Sequence, residues 1–213
     1  MTLDPYSCDR VVPIEEEPRH HLVIKNELLR AFAVEIPPRG RTLCHRHGYD
    51  YMLYVAGESR IISAPQGGKP ERHTYPDMHC ECGRAGLVHV VENLANTPFR
   101  NIVVEVMPGM EGLRRGAPPH GVEGGSKSAN LLNSEMLAAC LVPLEAREAV
   151  TITGPAVVAS PYEQPVRWVS AEKKDVSLSC FNDLRYLTPG QMATLRASGS
   201  SIARILVVAL GRS

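Results

Sequence analysis

Gly40-Arg-Thr-Leu-Cys-His45-Arg-His47-Gly-Tyr-Asp50-Tyr-Met-Leu-Tyr-Val-Ala-Gly57 is answered further along the chain by Gly86-Leu-Val-His89-Val-Val-Glu-Asn93. On a strand from Leu43 to His47, successive side chains alternate between faces, so His45 and His47 project one way and Cys44 and Arg46 the other. Gly48 supplies a bend. Tyr51-Met-Leu-Tyr-Val55, rich in aromatic and β-branched residues, is expected to return as the partner strand, and His89 comes from a separate strand, Val88 to Val91. Two imidazoles from one strand and a third from another make a facial ligand set for a first-row divalent metal, with open positions for water or substrate. Such a set suits chemistry rather than a closed structural site.

These residues resemble the two signature motifs of the cupin superfamily. The first has Gly, His-x-His, an acidic residue and Gly; the second has Pro-x-Gly-x-x-His-x-x-x-Asn, with Gly86, His89 and Asn93 in register. The resemblance spans residues 20 to 107 and implies an all-β fold, the cupin-type double-stranded β-helix or jelly-roll barrel. It also implies a divalent metal, Fe(II) first with Mn, Ni, Zn or Cu as alternatives, held by His45, His47 and His89. The family's Glu ligand falls on Asp50, one carbon shorter and one residue nearer His47. Asp50 therefore either reaches the metal or orients a ligating imidazole. Arg84 and Met78 stand where the family has Pro and the motif's first Gly. The family includes dioxygenases such as quercetin dioxygenase, decarboxylases, lyases and isomerases, and fold alone does not select among them. A metal-dependent enzyme acting on a small organic substrate, foremost a dioxygenase-type oxidoreductase, is the expectation. A non-catalytic small-molecule or metal-binding cupin and a cupin lyase or isomerase are the alternatives. The metal-free epimerase branch fits the three-histidine pattern least.

Composition narrows the partners. The chain has 213 residues with 23 basic and 23 acidic side chains, and no basic stripe supports binding to nucleic acid or to an anionic membrane. The N-terminus is polar and early in proline, unlike a secretory signal, and no apolar run approaches the length of a membrane span, so a soluble cytoplasmic protein is expected. The six cysteines, in a chain too large to need a disulfide framework, are expected to be reduced thiols.

Residues 1–18, with Pro5, Pro13, Pro18 and the run Glu15-Glu16-Glu17, read as an N-terminal arm. Short β segments separated by Gly and Pro then read as a metal-binding barrel over 19–107. Residues 108–130 have the composition of a linker. Residues 131–213 repeat the first barrel faintly: Leu137 to Glu145 resembles Arg30 to Pro38, and Ile202 to Leu210 resembles Pro98 to Val106. In that alignment Thr151 and Thr153 replace His45 and His47, and Ala193 replaces His89. No histidine follows His120, so the second barrel is expected to lack a metal site. Cupin barrels pair through edge strands, and a homodimer is compatible with this sequence.

Tyr49, Tyr51, Tyr54 and Arg60 flank the motif and are the substrate-binding candidates, those of inward parity lining the pocket; Arg41 and Arg46 are further cations near it. His79, Cys80 and Cys82 form a second constellation in which buried cysteine as a small hydrophobe competes with metal ligation. His20, His21, His73 and His120 have no partner by spacing and are expected to be solvated.

Overall fold

The computed structural model describes residues 6–108, 122–123, 128–146, 148–170 and 175–211. Backbone contacts divide the chain into two compact units, Met1–Lys25 with Leu29–Met107, and Asn26–Leu28 with Pro108–Ser213. Most of the 108–130 segment, including His120, lies outside the described residues.

Ten strands build the first unit: β1 Val12–Pro13, β2 His20–Lys25, β3 Leu29–Ile36, β4 His45–Arg46, β5 Tyr51–Ala56, β6 Ser59–Pro65, β7 Glu71–Tyr75, β8 Cys80–Gly83, β9 Val88–Asn93 and β10 Phe99–Val106. They form two five-stranded sheets, β1-β4-β9-β6-β7 and β2-β3-β10-β5-β8. Among the described residues there is no α-helix, only a 3-10 turn at Ile14–Glu16. β3 and β10 pair over eight residues, from Phe99 opposite Ile36 to Val106 opposite Leu29. Both are buried at nearly every position on both faces, and most of their residues are accordingly apolar. One face supplies Phe32, Val34, Ile36, Phe99 and Val103 to the barrel core, where Ile14, Val55, Ile61, Tyr75 and Val91 join them. Each fully buried side chain of this size contributes about 1.5–3 kcal/mol of transfer free energy.

The expected pairing of Tyr51–Val55 with the His-x-His strand is not made. β5 lies between β10 and β8, whereas β4 runs parallel to β1 and antiparallel to β9, with His45 opposite His89. Gly48 to Asp50 carries the chain from one sheet to the other. A glycine bend between two β segments therefore makes a crossover here, not a hairpin.

The N-terminal segment is docked from Tyr6 onward. Val12 pairs with His45, Ile14 is buried, and Cys8 is joined to Cys44 by a disulfide. The expectation of six reduced thiols is corrected for these two, while Cys80, Cys82, Cys140 and Cys180 are free. The cause is local: Cys44 points away from the histidine face, toward the side along which β1 brings the chain from Cys8.

The second unit repeats the first strand for strand, with β11 Val122–Glu123, β12 Ala129–Asn133, β13 Leu137–Leu144, β14 Ala149–Thr153, β15 Ala156–Ala159, β16 Val166–Ser170, β17 Asp175–Leu178, β18 Leu184–Leu187, β19 Met192–Ala197 and β20 Ala203–Leu210. Its sheets, β11-β14-β19-β16-β17 and β12-β13-β20-β15-β18, have the same order shifted by one barrel. β11 is antiparallel to β14, where β1 is parallel to β4. Ala193 pairs with Ile152 as His89 pairs with His45, so Ile152, not Thr151, stands in the place of His45. The expected correspondence of Thr151 and Thr153 with the two histidines is thus displaced by one residue, which turns both threonines to the opposite face. Trp168, opposite Leu195, takes the place of Ser63, opposite Val91. With Val150, Ile152 and Leu195 it fills this interior with apolar side chains.

Candidate metal centre

The short β4 and its neighbour β9 bring His45 and His89 face to face, and His47 follows on the same side. One ring nitrogen from each of the three lies within 4.8 Å of those of the other two, and all three side chains are buried. The outer nitrogens of His45 and His89 are engaged, while that of His47 is buried without a hydrogen bond. His45 Nδ1 lies 3.0 Å from the Leu43 carbonyl, to which it donates, and His89 Nδ1 lies 3.1 Å from Ser63 Oγ. His47 Nδ1 faces Glu105 Oε1 at 3.5 Å.

The Nε2 atoms therefore turn inward. His45 Nε2 is buried without a hydrogen-bond partner, and His47 Nε2 lies 3.3 Å from His89 Nε2. Burial, reinforced by the neighbouring imidazoles, holds His45 well below the ordinary histidine range, and burial followed by His47 and His20 pushes His89 down to about 3. Both are neutral near pH 7, so each can turn a lone pair toward the centre of the cluster, where a cation would accept it. Nitrogens bound to one ion at about 2.1 Å lie roughly 3.0–3.4 Å apart, which the His47–His89 spacing matches, so these residues fit a divalent metal.

Groups that spacing did not reveal support the cluster. Glu105, fully buried on β10, accepts from Arg30 Nε at 2.9 Å and from the Gly48 amide at 3.2 Å while facing His47. Its signal is parity: Phe99, Asn101 and Val103 face inward on β10, and the next inward residue is an acid. His20 corrects the expectation of a solvated ring. It is buried, its centroid is 4.6 Å from that of His45, and its Nδ1 lies 2.6 Å from Glu17 Oε2. Burial lowers His20 despite the opposing pull of Glu17. Burial raises Glu17, but His20 and the amides of Leu43 and Arg19 outweigh it and keep the carboxyl below its usual range.

The structure does not bring Asp50 to the histidines, either as ligand or as orienting group. Its oxygens accept from the Ala85 amide at 2.7 Å and from Arg84 at 2.9 Å, and these contacts lower its pKa against a small opposing effect of burial. Arg84, which stands where the motif has Pro, captures the short side chain at the rim. Of the substrate candidates, only Tyr51 lines the cavity, stacked on His47 at 4.1 Å between centroids. Tyr54 has the opposite parity on β5 and is fully buried outside the cavity. Tyr49 lies beneath the Arg30 guanidinium, and Arg60 is exposed on the outward parity of β6. Cys80 and Cys82 flank the inward Glu81 and turn away from the cavity; burial pushes the Cys80 thiol up to about 12, which disfavours a thiolate ligand.

The three histidines open into a cavity of about 290 Å³ walled by Val34, Leu53, Ile61, Phe99 and Val103. No protein-family model and no curated protein matches the chain. Its fold is the cupin-type jelly roll, built twice from paired five-stranded sheets. Among solved structures it is similar to a cupin 2 conserved barrel domain protein from Leptotrichia buccalis, with 10% identity over 92% of this chain and 89% of that one and a TM-score of 0.54. AerE from Microcystis aeruginosa shares 8% identity over 91% and 98% of the two chains at a TM-score of 0.62. A variant of the salicylate 1,2-dioxygenase of Pseudoaminobacter salicylatoxidans shares 12% identity over 86% and 72% at 0.56. At these identities the likeness is one of fold. Among the described residues no helix is long and apolar enough to cross a membrane.

Proposed function

We propose that the first barrel is the active site of a metal-dependent enzyme acting on a small organic substrate, and that its chemistry is that of a dioxygenase-type oxidoreductase using Fe(II). The observation that carries this reading is the cluster of three buried imidazoles, each with a ring nitrogen within 4.8 Å of those of the other two, in the wall of a cavity. His45, His47 and His89 would hold the ion. Fe(II) held there supplies Lewis acidity and one-electron chemistry beside the substrate.

The remaining roles belong to the chain. The Leu43 carbonyl and Ser63 hold the His45 and His89 rings through Nδ1, and the Glu105 carboxylate faces His47 Nδ1 at 3.5 Å. The aliphatic wall and Phe99 exclude water, which strengthens every electrostatic interaction inside. His20, anchored on Glu17, is the buried cavity imidazole outside the ligand set and is placed to move a proton. The salicylate dioxygenase likeness supports oxygenase chemistry as one that this scaffold carries. Elemental analysis of protein purified without a nickel column tests the proposal: about one metal per chain is expected in the wild type, with a large loss in His47→Ala. Equal metal content in both would remove His47 from the ligand set.

A further inference from the structure

The charge of the cavity wall deepens this reading, on which the inference rests. Among the described residues lining the cavity there is no lysine or arginine. Arg30 is bound to Glu105, and Arg60 and Arg72 occupy the outward parity of β6 and β7. The charged residues at the outer end are Glu71 and Glu81. Glu81 Oε1 accepts from the Tyr75 hydroxyl at 3.1 Å and Oε2 lies 3.0 Å from His79 Nε2, yet a carboxylate has about four acceptor sites and retains capacity for another donor. A second carboxylate entering here would face Glu81 and Glu71 with no lysine or arginine on the wall, and the imidazoles nearest these acids, His79 and His73, are already paired with them.

The opposite end has its own marker, the buried and unpartnered His45 Nε2. We infer that the substrate is a small amine: an oxygen donor at one end meets the metal, and a protonated primary or secondary amine at the other end donates to Glu81. The faces of Tyr75 are covered by His73 at 5.6 Å and His79 at 4.5 Å, so its ring offers no platform to a quaternary ammonium. Recognition falls to the carboxylate, which needs N–H donors.

The test uses the zinc-loaded full chain and titration calorimetry at pH 7 with three catechols that present the same two oxygens to a metal: dopamine, 4-methylcatechol and 3,4-dihydroxyphenylacetate. Dopamine is expected to bind roughly tenfold more tightly than the acid, the worth of one charge-assisted hydrogen bond. Glu81→Gln should bring the two within about threefold of each other while leaving 4-methylcatechol unchanged. If 4-methylcatechol binds but the acid binds as tightly as dopamine, or if the preference survives Glu81→Gln, the amine assignment is overturned and the metal reading stands. No heat from 4-methylcatechol on zinc-loaded protein overturns the open-metal reading, and the amine assignment with it.

Discussion

Glu105 carries two obligations at once: it neutralises Arg30 in a buried position and it aims the His47 ring. Glu105→Gln keeps the shape but leaves the guanidinium with Glu15 as its remaining counter-charge, which should cost about 1.5–3 kcal/mol in denaturant unfolding. The same change should weaken zinc binding by roughly 10- to 100-fold in a calorimetric titration, as loss of an outer hydrogen-bond partner usually does. A variant that keeps its zinc affinity would show that His47 needs no support from β10. Gly83 makes a second case, because a Cβ placed there would lie 2.0 Å from Tyr51 Cζ. Gly83→Ala must push the tyrosine off His47 and should destabilise by about 1–3 kcal/mol. Combining it with Tyr51→Ala should abolish most of that cost, whereas additive losses would mean the ring is not what the new methyl meets. His45, His47 and His89 were legible because their spacing alone fixes a shared face. Asp50, Tyr54 and Arg60 were misplaced because a side chain's destination depends on which sheet its strand joins, which spacing does not encode. Glu105 was hidden for the converse reason: it is far from the motif in sequence and enters the site only through the pairing of β10 with β3 and β5.

At the level of elements, strand existence was legible and strand partnership was not. Alternating apolar residues bounded by Gly and Pro marked β5, β6, β9 and β10, but the two-residue β4 is too short to show its partners by pattern. Its register is held by β9 on one side and by the N-terminal segment on the other, and the Cys8–Cys44 link pins that segment down. Sequence reasoning treated Cys44 only as the residue that points away from the histidines. What lies on that far side is a tertiary fact. The link spans 36 residues of sequence, so removing it with Cys8→Ser should free loop entropy in the unfolded chain worth about 3–4 kcal/mol. Thiol titration in denaturant without reductant gives the direct check. Four reactive thiols are expected, those of Cys80, Cys82, Cys140 and Cys180, and six would show that β1 is held by packing alone.

The whole molecule is one topology used twice with opposite interiors. Where the first barrel has His45, Ser63 and His89, the second has Ile152, Trp168 and Ala193 in equivalent pairings, so one interior holds ionisable groups and the other a dry apolar core. The duplication could be read from the sequence because the eight-residue strands β10 and β20 share an apolar stretch, Ile102 to Val104 and Ile205 to Leu210; the one-residue slip at β14 could not, since a threonine-rich strand gives no inward parity of its own. This asymmetry predicts where acid acts. His89 is lowered to about 3 by burial and by its neighbours, and burial lowers His45 and His20 too, so the unfolded chain binds more protons than the folded one below its ordinary histidine pKa of about 6.5. Stability is therefore complete above that value and is lost as pH falls toward the folded-state value. At pH 5 His89 alone should cost about 2 kcal/mol, with His45 and His20 adding to it. Denaturant unfolding of chelator-treated protein at pH 7.5 and pH 5 measures the difference. A metal at a hundredfold excess over its dissociation constant should add about 2.7 kcal/mol at the higher pH, because it binds only the folded arrangement. Equal stability at the two pH values without metal would mean that these rings accept protons where they stand, and His45 and His89 would then not be the neutral donors a metal requires.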